Sequence, residues 1–317
     1  MRIHGLTQML LVICLPAMMV CTPTAEEADT VLLMTYFTGN GEDGLHFATS
    51  EDGLAWRAVR GGASFLEPKV GGAKLMRDPC LIQGPAGRFH MVWTTGWWEN
   101  NIGIAHSDVL IHWSEQQAIP VMAHEPEVRN CWAPEIFYDQ ENERYLIFWA
   151  STIPGRFPET ADSGDNGLNH RMYYVTTQDF ESYSEAALFY DPGFNVIDST
   201  LLQRGPGDYV MFLKNETRHP PEKNIRLAYA ESAAGPYGPA SEPITGDYWA
   251  EGPTAIMIGE MAYVYFDRYR QGRYGAVRSA DFENWEDISD ALRTPEGMRH
   301  GTILRVDRSV VENLENP

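Results

Sequence analysis

Five short stretches share one grammar: Arg77-Asp78-Pro79, Trp132-Ala133-Pro134-Glu135, Ile197-Asp198-Ser199, Glu251-Gly252-Pro253 and Arg299-His300-Gly301. Each opens an apolar, strand-like run: DPCLI at 78–82, APEIFY at 133–138, DSTLLQ at 198–203, GPTAIMI at 252–258 and HGTILRV at 300–306. Counted from positions 78, 133, 198, 251 and 300, the steps are 55, 65, 53 and 49 residues. Repeats of this length, filled with short strands, read as propeller blades.

Within each unit a turn bearing Gly or Asp follows, and a second strand returns: FHMVWTT (89–95), YLIFWAS (145–151), YVMFLKN (209–215) and MAYVYFD (261–267). A third goes out again: NIGIAHS (101–107), RMYYVTT (171–177), NIRLAYA (224–230) and RYGAVRS (273–279). Aromatic and β-branched residues bounded by Gly, Pro, Asn and Asp are strand chemistry. No sustained period of 3.6 follows the first 25 residues, so no long helix is expected. The fifth unit is split. Its inner strand is HGTILRV, and its partners are VLLMTYFT (31–38) and GLHFATS (44–50). The predicted fold is therefore all-β, a five-bladed β-propeller. Its ring closes where the C-terminal inner strand pairs with the N-terminal outer strands, which removes an open sheet edge. One domain is expected over 28–308, followed by a loose tail at 309–317.

The chain has 317 residues, 44% of them hydrophobic and 12% aromatic, enough for one large core. Its formal charge of −20 repels phosphate backbones, so nucleic acid is not an expected partner. Residues 1–25 read as an export signal. Arg2 precedes an apolar run from Met9 to Val20 that is too short to span a bilayer, and cleavage is expected after Ala25. The mature protein is expected in the periplasm, outside the cell or on its outer surface. A lipid tether at Cys21 is the alternative processing. No later segment suggests a membrane span. Cys80 and Cys131 sit at different offsets in their blades, which argues against a bridge, and no Cys/His spacing suggests zinc.

Consecutive strands of a blade are antiparallel, so the starts of inner strands share a rim with the ends of second strands. That rim gathers Asp78, Asp198 and Glu251 beside segments 94–98, 149–152, 214–217 and 267–269. The long loop 153–169 hangs from it as a candidate lid or substrate selector. An acid beside Pro or Gly is commonly a turn residue. Three acids facing one axis repel each other and call for a chemical use. Glycosidic cleavage is such a use, with one carboxyl kept protonated and one kept ionised. A metal site competes, without the dense Asp/Asn spacing of a calcium loop. Trp93, Trp97, Trp98, Trp132 and Trp149 are candidate sugar platforms, Trp98 and Trp132 first. Arg77, Lys214 and Arg268 are candidates to bind hydroxyls or an acidic sugar.

In this order and spacing, the Arg-Asp-Pro, Trp-Ala-Pro, Ile-Asp and Glu-Gly-Pro openings and the late His300 resemble glycoside hydrolase family 43. That family comprises five-bladed propeller β-xylosidases, α-L-arabinofuranosidases, arabinanases and galactanases. The resemblance covers about 31–306. It implies an inverting hydrolase acting on an arabinofuranoside, xyloside or galactoside type of carbohydrate. Asp78 would be the general base and Glu251 the general acid, with Asp198 orienting that acid and raising its pKa. The acid and base of such a pair stand about 6.5–9.5 Å apart. His300 matches a channel histidine that lies near a metal ion or a water in many members, and its other reading is a buried, hydrogen-bonded histidine. No cofactor is required, and a calcium or other ion in the central channel is the one group implied. An outer half-blade before Asp78, and Glu135 after Trp-Ala-Pro, depart from the common pattern. The competing readings are a non-catalytic glycan-binding propeller and a related enzyme acting on fructan, on an anhydrogalactoside or by phosphorolysis.

Overall fold

The computed structural model describes residues 29–316. The expected leader at 1–25, with Cys14 and Cys21, lies outside them. The chain begins with β1 (Thr30–Tyr36), β2 (His46–Ser50) and β3 (Arg57–Ala58). A second sheet holds β4 (Arg77–Gln83), β5 (Phe89–Thr94), β6 (Ile102–Ser107) and β7 (Gln117–Ile119). A third holds β8 (Trp132–Asp139), β9 (Arg144–Thr152), β10 (His170–Thr177) and β11 (Ala187–Tyr190). The fourth has three strands, β12 (Val196–Gly205), β13 (Asp208–Asn215) and β14 (Asn224–Ala230). The fifth holds β15 (Glu251–Ile258), β16 (Met261–Arg268), β17 (Arg273–Ser279) and β18 (Glu286–Asp287). Finally β19 (Ile303–Asp307) pairs antiparallel with β1, from Thr30 opposite Asp307 to Met34 opposite Ile303. The five-bladed ring therefore closes between the two ends of the chain, as the split repeat predicts.

Apolar side chains fill the spaces between neighbouring blades. Trp93 and Trp149 are fully buried there, so these two serve packing and not ligand contact. Cys80 and Cys131 are buried free thiols. Among the described residues no helix is long and apolar enough to cross a membrane.

The end of the chain differs from the loose tail expected. Residues Arg308–Glu315 form helix α1, whose Val311 and Leu314 are buried with Val31, Leu33 and Phe47 of the split blade. The two apolar residues are three apart, which puts them on one face of a helix. Its other side is tied down by Arg57 to Glu315 and by Arg308 to Glu51. The helix escapes the sequence reading because eight residues with two core contacts are too short for a periodic signal. Leu314→Ala leaves a cavity under the helix. Urea unfolding is expected to show a loss of about 2–3 kcal/mol; a loss below about 0.5 kcal/mol, the range of an exposed site, would mean that the helix does not dock.

Candidate active site

A bulge opens each inner strand. Arg77 pairs with Thr94, but the next pair is Cys80 with Val92. The same shift separates Trp132–Ala150 from Glu135–Phe148, Ile197–Lys214 from Thr200–Phe212, and Glu251–Asp267 from Thr254–Tyr265. The second residue of these four openings is left-handed, with φ of 51° at Asp78, 45° at Ala133, 50° at Asp198 and 61° at Gly252. Gly and Asp enter that region at the lowest cost. The Phe37–Arg299 bridge and the Thr35–Thr302 backbone bond give the fifth blade the same spacing.

This register corrects the sequence alignment by one residue. Gly252, not Glu251, is the equivalent of Asp78 and Asp198. Glu251 belongs with Arg77, Trp132, Ile197 and Arg299. In a regular strand, adjacent side chains point to opposite faces. Across the bulge both turn inward, so Arg77 with Asp78, Ile197 with Asp198, and Arg299 with His300 all line one axial pit of ≈ 520 Å³. All three predicted carboxylates, Asp78, Asp198 and Glu251, line it.

The three carboxylates have different surroundings. Asp78 accepts a hydrogen bond from Thr94 Oγ1 at 2.9 Å and faces His300 Nδ1 at 3.4 Å. Burial pushes its carboxyl up, but the His300 imidazolium, Arg77 and Thr94 outweigh burial and hold it at about 2. Burial in turn depresses His300, but Asp78, Asp198 and Glu135 overcome this and lift it to about 9. Asp198 accepts the Gly252 N–H at 3.0 Å. Burial raises its carboxyl to about 6; the charges of Glu251 and Asp78 add to this, while His300 and Lys214 oppose it. Glu251 takes Lys214 Nζ at 2.9 Å on one oxygen and an Arg299 guanidinium nitrogen at 3.1 Å on the other. Lys214 also contacts Glu216 at 2.6 Å, and Arg299 donates to Asp267 at 2.5 Å. Gly252 is required twice over. Its φ is positive, and an added Cβ would lie 2.3 Å from His300 Cγ.

Deeper in the channel, Glu135 accepts hydrogen bonds from Thr200 at 2.9 Å and Thr302 at 3.1 Å. Burial raises its carboxyl to about 7 against the pull of His300. His300 Nδ1 faces Asp78 Oδ1 at 3.4 Å, and among the described residues no group of three or more His, Cys, Asp or Glu side chains is placed to hold a metal.

Arg77, Trp132, Lys214 and His300 line the pit as the sequence suggests. Arg77 lies over Trp97 at 4.2 Å and donates to Asn40 at 2.9 Å. Two expectations fail. Arg268 points away and stacks 3.6 Å from the Tyr248 ring centroid, because it alternates with the inward neighbours Asp267 and Tyr269. Trp98 is 60% exposed and lies in a separate cleft beside Glu99 and Pro126, while its neighbour Trp97 faces the pit. The sequence reading missed Arg299, Lys223, Trp249 and Arg270 as pit residues. Arg299 was recoverable, because it stands in a repeat opening. Loop 153–169 contributes Asp165 and Leu168 to the wall.

Fold and site together define a propeller of the glycoside hydrolase class. The chain belongs to the glycosyl hydrolase 43-related family: residues 28–312 match the domain described as "Probable glycosyl hydrolase domain". An α-L-arabinofuranosidase of Bifidobacterium longum is 24% identical over 161 residues, covering 44% of this chain and 15% of that protein. The GH43 BlXynB protein of Bacillus licheniformis superposes with a TM-score of 0.51 at 20% identity, over 67% of this chain and 41% of that one. An exo-β-1,3-galactanase of Phanerochaete chrysosporium gives 0.52 at 10% identity, over 70% and 52%. The chain thus spans less than half the length of the arabinofuranosidase and of BlXynB, and the structural likeness speaks for the fold.

His300 allows a test that needs no substrate. Its ordinary value of 6.5 is raised to about 9 in the folded protein. Its pairing therefore stabilises fully below 6.5, and that contribution is lost as pH rises through 9. Urea unfolding should show the stability gap between wild type and His300→Gln widest near about pH 6 and shrinking toward about pH 10. A gap that does not change with pH would mean that His300 is neutral in the fold.

Proposed function

We propose that the protein is an exported, inverting glycoside hydrolase of arabinofuranoside, xyloside or galactoside type. One observation carries the reading: three carboxylates in a single pit, one held strongly ionised beside an imidazolium and one raised by burial. Asp78, as general base, takes a proton from a water that attacks the anomeric carbon. Glu251, as general acid, gives a proton to the departing glycosidic oxygen. Asp198 orients that acid by anchoring the Gly252 N–H next to it. Lys214 and Arg299 hold both Glu251 oxygens, so the carboxyl is aimed before substrate enters.

Glu251→Ala should lower hydrolysis of natural glycans by about 10²–10⁴-fold, the range of general acid catalysis. Aryl glycosides with activated leaving groups need little proton donation and should lose far less. Equal losses on both would remove Glu251 from the role of acid. Proton NMR of the first-formed product should show the anomer opposite to that of the substrate. Retention would overturn the inverting mechanism.

Export predicts that the protein recovered from intact cells starts near residue 26. A membrane-bound form that Cys21→Ser releases into solution would instead establish the lipid tether.

A further inference from the structure

The pit is electrically unlike the rest of the molecule. The chain carries 44 acidic and 24 basic residues. The pit, with His300 protonated, brings six cationic side chains against five carboxylates. The imbalance has a location. Trp249, on the wall beside Glu251, has Arg218, Arg270 and Lys223 around its ring, with centroid distances of 5.0, 5.1 and 5.8 Å. Lys223 is paired with Glu216, and Arg218 lies 3.6 Å from Asp165. Arg270 is exposed, faces the pit and has no ion pair or hydrogen bond among the described residues. A guanidinium lying against an aromatic ring uses its face and keeps its in-plane N–H groups free for a carboxylate or a sulfate.

We propose that the Trp249 wall is a subsite for an anionic substituent of the glycan, a carboxylate or a sulfate ester, bound by Arg270 with Arg218 beside it. This rests on reading the pit as a glycan-cleaving site. Neutral sugars offer only hydroxyls, which need no unpaired cation. An acidic sugar needs one, because the protein's net negative charge otherwise opposes its entry. Arg218 supplies a second donor once the anion displaces Asp165.

The test separates binding from cleavage by using Glu251→Gln, monitored by tryptophan fluorescence and calorimetry. The probes are a neutral galacto-oligosaccharide, a uronic-acid oligosaccharide and a sulfated galacto-oligosaccharide of matched length. One acidic probe should bind at least about tenfold more tightly than the neutral one, and which of the two does so identifies the anion. Its affinity should fall steeply between about 20 and 300 mM salt, as for a screened charge contact. Adding Arg270→Gln should cut the acidic-to-neutral affinity ratio about tenfold, and Arg270→Lys should restore part of it. Arg270 is exposed, so these variants keep the fold. Neutral and acidic probes bound equally, or a ratio unmoved by Arg270→Gln, overturns the subsite and leaves the glycosidase reading standing. No binding and no hydrolysis of any glycan overturns both.

Discussion

Everything in the pit depends on one backbone irregularity repeated around the ring. At the start of each inner strand three residues stand opposite two, and in four of the five blades the middle one adopts a positive φ. For a residue with a Cβ this costs about 1–2 kcal/mol. In return, two consecutive side chains face the axis where a flat strand would present one. Five blades then deliver up to ten side chains to one rim. This is how the proposed base and acid and three of their charged neighbours all come from strand openings: Asp78, Asp198 and His300 from the second position, Glu251 and Arg299 from the first. Strand residues hold such geometry better than loop residues, because the ladder to the second strand of the blade fixes them.

Charge distribution follows from that crowding. Carboxylates gathered at low dielectric repel, and each needs a partner or a proton. His300 sits between Asp78, Asp198 and Glu135 and lowers the cost of all three. Lys214 and Arg299 serve Glu251, and each also touches a second acid, Glu216 or Asp267. The pairs are interlocked, so removing one cation takes a partner from two carboxylates at once. A network of this kind contributes little net stability and a great deal of positional definition.

The fold was legible because its signals are local. Strand alternation, turn residues and the split fifth unit each appear within a few residues. The three pit carboxylates were legible because they stand in repeat openings where apolar residues would otherwise belong. Misplacements began where alternation meets irregular backbone. Trp97 and Trp98 are neighbours in a loop, and nothing local says which one turns inward. Arg268 was grouped with Asp267 and Tyr269 as one rim segment, although a strand residue faces away from the neighbours on each side. The alignment slipped at Glu251 because it followed the acid and not the proline: Pro79, Pro134 and Pro253 each follow the left-handed residue directly, and that spacing alone would have matched Gly252 to Asp78. The side chains of the Trp249 wall come from connections outside the repeat, so no period announced them.

The fourth blade explains why that wall exists. It alone lacks a regular outer strand, and residues 231–250 fill the place irregularly. Gly238, Ser241 and Ile244 donate to the carbonyls of Tyr229, Leu227 and Ile225 at 2.8–2.9 Å, so the edge of β14 is still covered. The segment therefore runs back toward the rim along β14 and ends with Ala250 N–H on Lys223 O at 2.9 Å. That bond sets Trp249 beside Lys223, within reach of Arg218 from one loop and Arg270 from another. A regular fourth strand would satisfy the edge equally well, but its length and direction would be fixed by the ladder. The irregular return satisfies the same backbone groups and leaves its last residues free to shape the pit. Changes in this connection can therefore alter what the pit accepts without disturbing the five strand openings that carry its chemistry.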